Sequence, residues 1–233
     1  MKSINKELGF SFEDFEKGLM LAGYIMPKNV QEYNEREALE NYEEENKPKN
    51  VYFKRVVLAA EIAYQLNNEP TLGRIKFQKL VYLCENAARM NLEGRYQKQA
   101  AGPFDNKFMH TIANEFKKNN WFAVEEVLNT GYKRSKYVPL ENSEGYKKYY
   151  ENYFGATNER IQYIIQLFRK MSTDNTELAT TVFACHLELN ARGSEISWDE
   201  LKSLFYSWSD KKRRFPEKDV YASYEWLRSK GLL

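Results

Sequence analysis

Asp105, followed ten residues later by Glu115-Phe116-Lys117, spells by letters the Asp and Glu-x-Lys set with which nucleases hold a divalent ion and activate water. That chemistry needs the carboxylates on adjoining strands. Here Phe108, Ile112 and Phe116 recur at helical spacing through the same stretch, so the expected element is a helix. The simpler reading is that Asp105 caps this helix and Glu115 and Lys117 lie on its solvated face. Glu45-Asn46-Lys47 repeats the string beside a linker, and Glu43-Glu44-Glu45 reads as a solvated acidic face. The two histidines, His110 and His186, have no suitable carboxylate or cysteine cluster near them in sequence. Cys84 and Cys185 lie far apart with no C-x-x-C, each on the apolar face of its helix, and read as buried small hydrophobes. Cys185 and His186 are neighbours, but helix neighbours diverge by about 100° and cannot form a nucleophile-base pair. Phosphate-loop, dinucleotide and methyltransferase motifs are absent. No catalytic residue, metal or cofactor is therefore expected, and the chain reads as not an enzyme.

Two kinds of binding chemistry remain. The run Gln99-Ala100-Ala101-Gly102-Pro103-Phe104-Asp105 is a tight turn in which glycine relieves steric limits, proline fixes φ and Asp105 or Asn106 caps the next helix. Local structure alone explains it; the functional reading has Tyr96, Gly102, Pro103, Phe104 and Asp105 line a groove for a protein partner. Two basic clusters, Lys133, Arg134 and Lys136 and then Lys211, Lys212, Arg213 and Arg214, have aromatic neighbours and suit nucleic acid as the alternative ligand. An ordinary charged rim explains them equally well.

These residues need elements to hold them. Phe53, Val56, Val57, Ala60, Ala63 and Tyr64 form one helical stripe, and Phe77, Leu80, Val81, Cys84, Ala87 and Ala88 form a second. After the helix through Phe116, the segments 121–128 and 132–140 predict a β-hairpin about Asn129-Thr130-Gly131. Three helices and a β-ribbon give a winged-helix element order, although the connection over 91–105 is far longer than a helix-turn-helix turn. Further helices follow, with Ile161, Ile164, Ile165 and Phe168 on one, and Leu178, Val182, Cys185 and Leu189 on the next. Ser197-x-x-Glu200 predicts a capping box, and Pro216 opens the last helix. The fold class is mainly α with a β-hairpin, in three segments: an acidic helical appendage and linker over 1–50, a first lobe over 51–145 and a helical C-terminal lobe over 146–233. Residues 1–50 hold 7 Lys or Arg against 11 Asp or Glu, a net of −4, and the remainder holds 28 against 22, a net of +6. The 233 residues, 29% charged and 42% hydrophobic, suit a folded chain. With no apolar run of membrane-spanning length and no signal-peptide core at the N-terminus, a cytoplasmic location is expected.

The helix Gly73-Arg74-Ile75-Lys76-Phe77-Gln78-Lys79-Leu80-Val81-Tyr82-Leu83, with the Gly-Pro turn after it, resembles the K-L-x-K-L-L-Y-x helix of the Panacea domain, the SocA-like antitoxin family. More closely, Tyr52 to Leu233 resembles an accessory module found at the tails of bacterial type I restriction-modification proteins. The residues that carry this are YFKRVVLAAEI, GRIKFQKLVYL, QAAGPFDNKF and RRFPEKDVYASYEWLRSKGLL. Residues 1–50 lie outside the resemblance. It implies a phage-defence or antitoxin setting, a partner such as a restriction-modification subunit or a toxin, and no reaction of its own.

Overall fold

The computed structural model describes residues 48–233, apart from 91, 93–94, 130–131 and 194–195. The helical appendage expected within residues 1–50 lies outside the described residues up to residue 47. From Arg55 to Ala63, α1 (Pro48–Leu66) is buried on every side, so Arg55 and Glu61 are carried inside along with its apolar residues. The same holds for α2 (Arg74–Ala87), whose run from Lys76 to Glu85 is buried without a break. A helix buried on all faces must find partners for its polar side chains.

The long connection after α2 is not plain loop. It folds into a hairpin of β1 (Gln97–Gln99) and β2 (Gly102–Phe104), with Gln97 opposite Phe104 and Gln99 opposite Gly102, leaving Ala100-Ala101 at its tip. Next, α3 (Asn106–Lys118) buries Phe108, Met109, Ile112 and Phe116. The expected ribbon forms from β3 (Phe122–Asn129) and β4 (Tyr132–Pro139), with Phe122 opposite Pro139 and Val124 opposite Tyr137. Its base is anchored where Tyr137 stacks on Phe77 at 4.3 Å and Phe122 meets Phe116. Farther along β3, residues 125–128 are exposed, Val127 and Leu128 among them.

The chain continues through α4 (Lys147–Phe154), a 3-10 turn (Gly155–Thr157), α5 (Asn158–Phe168), α6 (Thr173–Ala191), α7 (Trp198–Ser207), a second 3-10 segment (Asp210–Arg214) and α8 (Glu217–Ser229). Ser172 caps α6, and Ser197 with Glu200 forms the capping box that starts α7; such a cap contributes about 1 kcal/mol. The fold is thus mainly helical with two small antiparallel hairpins.

Phe53–Leu233 pack as one compact unit. The expected lobes at 51–145 and 146–233 share a core, because α2 lies against α5 and α6, and α6 also packs on β2, α7 and α8. The reason is the all-round burial of α2: its apolar stripe needs one set of neighbours and its opposite face needs another. Among the described residues no helix is long and apolar enough to cross a membrane.

Candidate functional site

The Gly102-Pro103 hairpin is held from beneath by side chains of α2. Gln78 and Lys79 both donate to the carbonyl oxygen of Pro103, Lys79 through Nζ at 2.8 Å. Gly102 has φ of +102°, and a Cβ there would lie 2.8 Å from Thr181 Oγ1 and 3.2 Å from Lys79 Nζ. Burial, reinforced by the nearby Lys212 ammonium, pulls the pKa of Lys79 down to about 7.

Farther along, Asp105 does two things at once. One carboxylate oxygen accepts from the Phe108 N–H at 3.0 Å and caps α3; the other accepts from Arg55 Nη1 at 2.6 Å. Arg55 Nε donates to Glu85 Oε1 at 2.7 Å, and the Tyr96 hydroxyl donates to the other oxygen of Glu85. The guanidinium also lies 4.1 Å from the centre of the Phe108 ring. Burial alone would disfavour the charge on Arg55, but Glu85 and its other acceptors override this and hold it above its ordinary pKa. These are buried charges with their hydrogen-bonding positions filled, the condition under which such burial is tolerated.

A second buried pair lies beside the hairpin on α6. Lys212 Nζ donates to Glu177 Oε1 and to Thr181 Oγ1, each at 2.9 Å, while Arg214 reaches Glu177 at 3.1 Å and Asp174 at 3.0 Å. The Trp208 indole donates to the Gln99 carbonyl at 3.0 Å. Ala100 and Ala101 therefore share a concavity of about 410 Å³ with Glu177, Asp210, Lys211 and Arg214. Two features far apart in sequence, the Gly-Pro turn and the 211–214 run, meet here.

The residues expected to receive a partner are placed unevenly. Gly102, Pro103 and Asp105 are buried, and Tyr96 and Phe104 are half-buried. They build the platform; the hairpin tip, Ala100-Ala101, is half-buried, and β1 is exposed. Of the basic clusters, Lys212 is fully buried and faces Glu177, so no phosphate reaches it. Arg134 turns inward and donates to the carbonyls of Glu69 and Leu72, each at 3.0 Å. On β4, Lys133 stands opposite Leu128 and Lys136 opposite Glu125. Lys211 and Arg213 remain solvent-facing.

The nuclease-like string is not assembled: Asp105 is occupied as cap and Arg55 acceptor, and Glu115 stands on α3. Cys84 and Cys185 are free and buried, and burial raises both thiols, Cys185 to about 12. His110 is exposed on α3 and His186 half-buried on α6. Among the described residues no three His, Cys, Asp or Glu side chains gather as metal ligands.

Sequence reasoning did not single out Arg55, Lys79, Glu85 or Glu177, which hold the platform together. A signal was present: each sits in a segment whose apolar residues leave little room for a solvated face. No family model matches the chain, and neither does any curated protein. The likeness to the Panacea domain rests on the residues quoted for it above.

Proposed function

We propose that this chain is a non-catalytic protein-recognition module of a bacterial restriction-modification or toxin-antitoxin defence system. The observation that carries the reading is the immobilised hairpin tip. Lys79, Gln78 and the Arg55 network anchor the hairpin from below, so Ala100-Ala101 is held next to Lys211 and Arg214. Preorganisation of this kind favours recognition, and small residues at the tip allow close approach by a partner. The buried ionisable groups described above are engaged in holding the fold, which agrees with a role in binding. The defence setting comes from the resemblance of Tyr52 to Leu233.

The test is co-purification of the tagged full chain from its native host, followed by reconstitution with each purified candidate. A binder should lose about tenfold or more in affinity when Ala101→Arg crowds the tip. Unchanged affinity, or no protein binder combined with tight DNA binding, would reverse the ranking.

A second reading, DNA-associated regulation, is favoured by one feature. The solvent face of α3 carries Lys107, His110, Asn114, Lys117 and Lys118 in a helical stripe. Such a face suits phosphates and base edges. Under this reading, affinity for duplex DNA falls steeply with salt, and Lys107→Ala with Lys117→Ala makes the dependence shallower by about one unit of slope per lost contact.

A further inference from the structure

On another face of the Phe53–Leu233 unit, a groove of about 1030 Å³ opens between the end of α2, the start of α5, the middle of α6 and the residues after α8. Its floor is apolar, with Leu83, Ile164, Phe183 and Leu187. Its margins carry three cations, Arg89, Arg160 and Lys230, against a single carboxylate, Glu159. All three cations are exposed. Arg160 donates to the Gly231 carbonyl at 2.5 Å, whereas the side chains of Arg89 and Lys230 make no hydrogen bond or ion pair among the described residues.

The backbone at Arg89 adds an independent observation. At the end of α2 the Met90 N–H donates to the Glu85 carbonyl and the Arg89 N–H to the Asn86 carbonyl, each at 3.0 Å, with Arg89 at φ of 54°. This is the Schellman arrangement, whose left-handed position ordinarily takes glycine or asparagine. The equivalent closures of α3 and α8 follow that rule, with Asn120 at 58° and Gly231 at 62°. Arg89 therefore holds a conformation that is unfavourable for a residue with a large side chain. Strain of this kind concentrates where a side chain is needed for binding.

An apolar floor with a cationic margin complements a segment that is apolar along one stripe and acidic along its edges. The volume fits a half-embedded helix about 12 Å across and roughly three turns long, and laying an apolar stripe into a groove is a recurrent way of recognising helices. We propose that this groove seats an acidic amphipathic helix of a protein partner. The proposal rests on the reading of the chain as a recognition module and names the class of segment that it recognises.

The test uses the full chain and three labelled synthetic peptides of about sixteen residues, long enough to form helix. One has a leucine stripe at helical spacing flanked by glutamates, the second replaces the glutamates with lysines, and the third scrambles the first. The acidic amphipathic peptide should bind, and the lysine and scrambled peptides should bind at least about tenfold more weakly. Binding should shift the methyl resonances of Leu83, Ile164 and Leu187. Combined Arg89→Glu, Arg160→Glu and Lys230→Glu should weaken binding about tenfold or more with the thermal midpoint retained. Arg89→Gly guards against a fold effect, since it should raise the thermal midpoint while still weakening the peptide. Equal binding of the scrambled peptide, resonance shifts confined to another face, or indifference to charge reversal would overturn the proposal. A natural partner that binds the charge-reversed chain undiminished would remove this inference and leave protein recognition standing; failure of every candidate partner in reconstitution would count against the recognition reading itself.

Discussion

Lys79 Nζ donates to the carbonyl of Pro103 at 2.8 Å, directly beneath a Gly102 backbone that leaves no room for a side chain. Gly102→Ala should therefore destabilise the chain by about 1–3 kcal/mol, through both its φ of +102° and the crowding of Thr181. Urea unfolding measures this. Gly155→Ala, where an added Cβ meets nothing within 4 Å, is the control and should change stability by about 0.5 kcal/mol or less.

Stability should rise with pH above neutrality. The pKa of Lys79 is lowered to about 7 from an ordinary 10.5, and that of Lys76 to about 8. Between about pH 7 and pH 9 the unfolded chain binds more protons at Lys79 and Lys76 than the folded one, so raising pH favours folding, by up to about 1.4 kcal/mol per unit for a single group; above about pH 9 the raised thiols of Cys84 and Cys185 oppose this. Below pH 7 the contribution of Lys79 is lost. Denaturation midpoints across this window should climb, and Lys79→Met should flatten the climb; a flat wild-type profile would contradict the burial of a titrating ammonium.

Breaking the Arg55 network should be costly. Arg55→Met leaves Glu85 and Asp105 buried without their cation, an effect of about 3–5 kcal/mol. Combining it with Glu85→Met should cost less than the sum of the two single changes, because the second removes the stranded charge. A double-mutant cycle by chemical denaturation reads this directly.

Adjacent lysines should behave differently. Lys212→Ala leaves the buried Glu177 carboxylate with only the exposed Arg214 as its cation and should destabilise by about 2 kcal/mol or more. Lys211→Ala and Arg213→Ala should each stay within about 0.5 kcal/mol of wild type. Thermal unfolding separates the two classes, and equal effects would contradict the burial of Lys212.

The contrast between Lys211 and Lys212 shows how far the sequence could be read. Apolar periodicity located α2, α3, α5 and α6, and turn and cap chemistry located the β3-β4 ribbon, Asp105 at the start of α3 and Ser197-Glu200 at the start of α7. Those signals are local. The inward turn of Lys212 and Arg134 depends on carboxylates and carbonyls tens of residues away, so four adjacent basic letters look alike until the chain closes on itself. The β1-β2 hairpin was missed for a related reason: its strands have three residues each, too short for alternation, and are set by packing of Gly102 and Pro103 against α2 and α6. The groove beside Arg89 had no sequence signature, because its margins come from three separate segments.

The Arg55 guanidinium joins partners 30 residues away at Glu85 and 50 residues away at Asp105, and its stabilisation is realised only when water is excluded from all three. Half-formed, the cluster is a desolvated charge awaiting its partners, so it should close after the rate-limiting step of folding. Substitutions there should speed unfolding and scarcely slow refolding. The same polar cluster would then act as a late latch, setting how long the folded chain persists more than how quickly it arises.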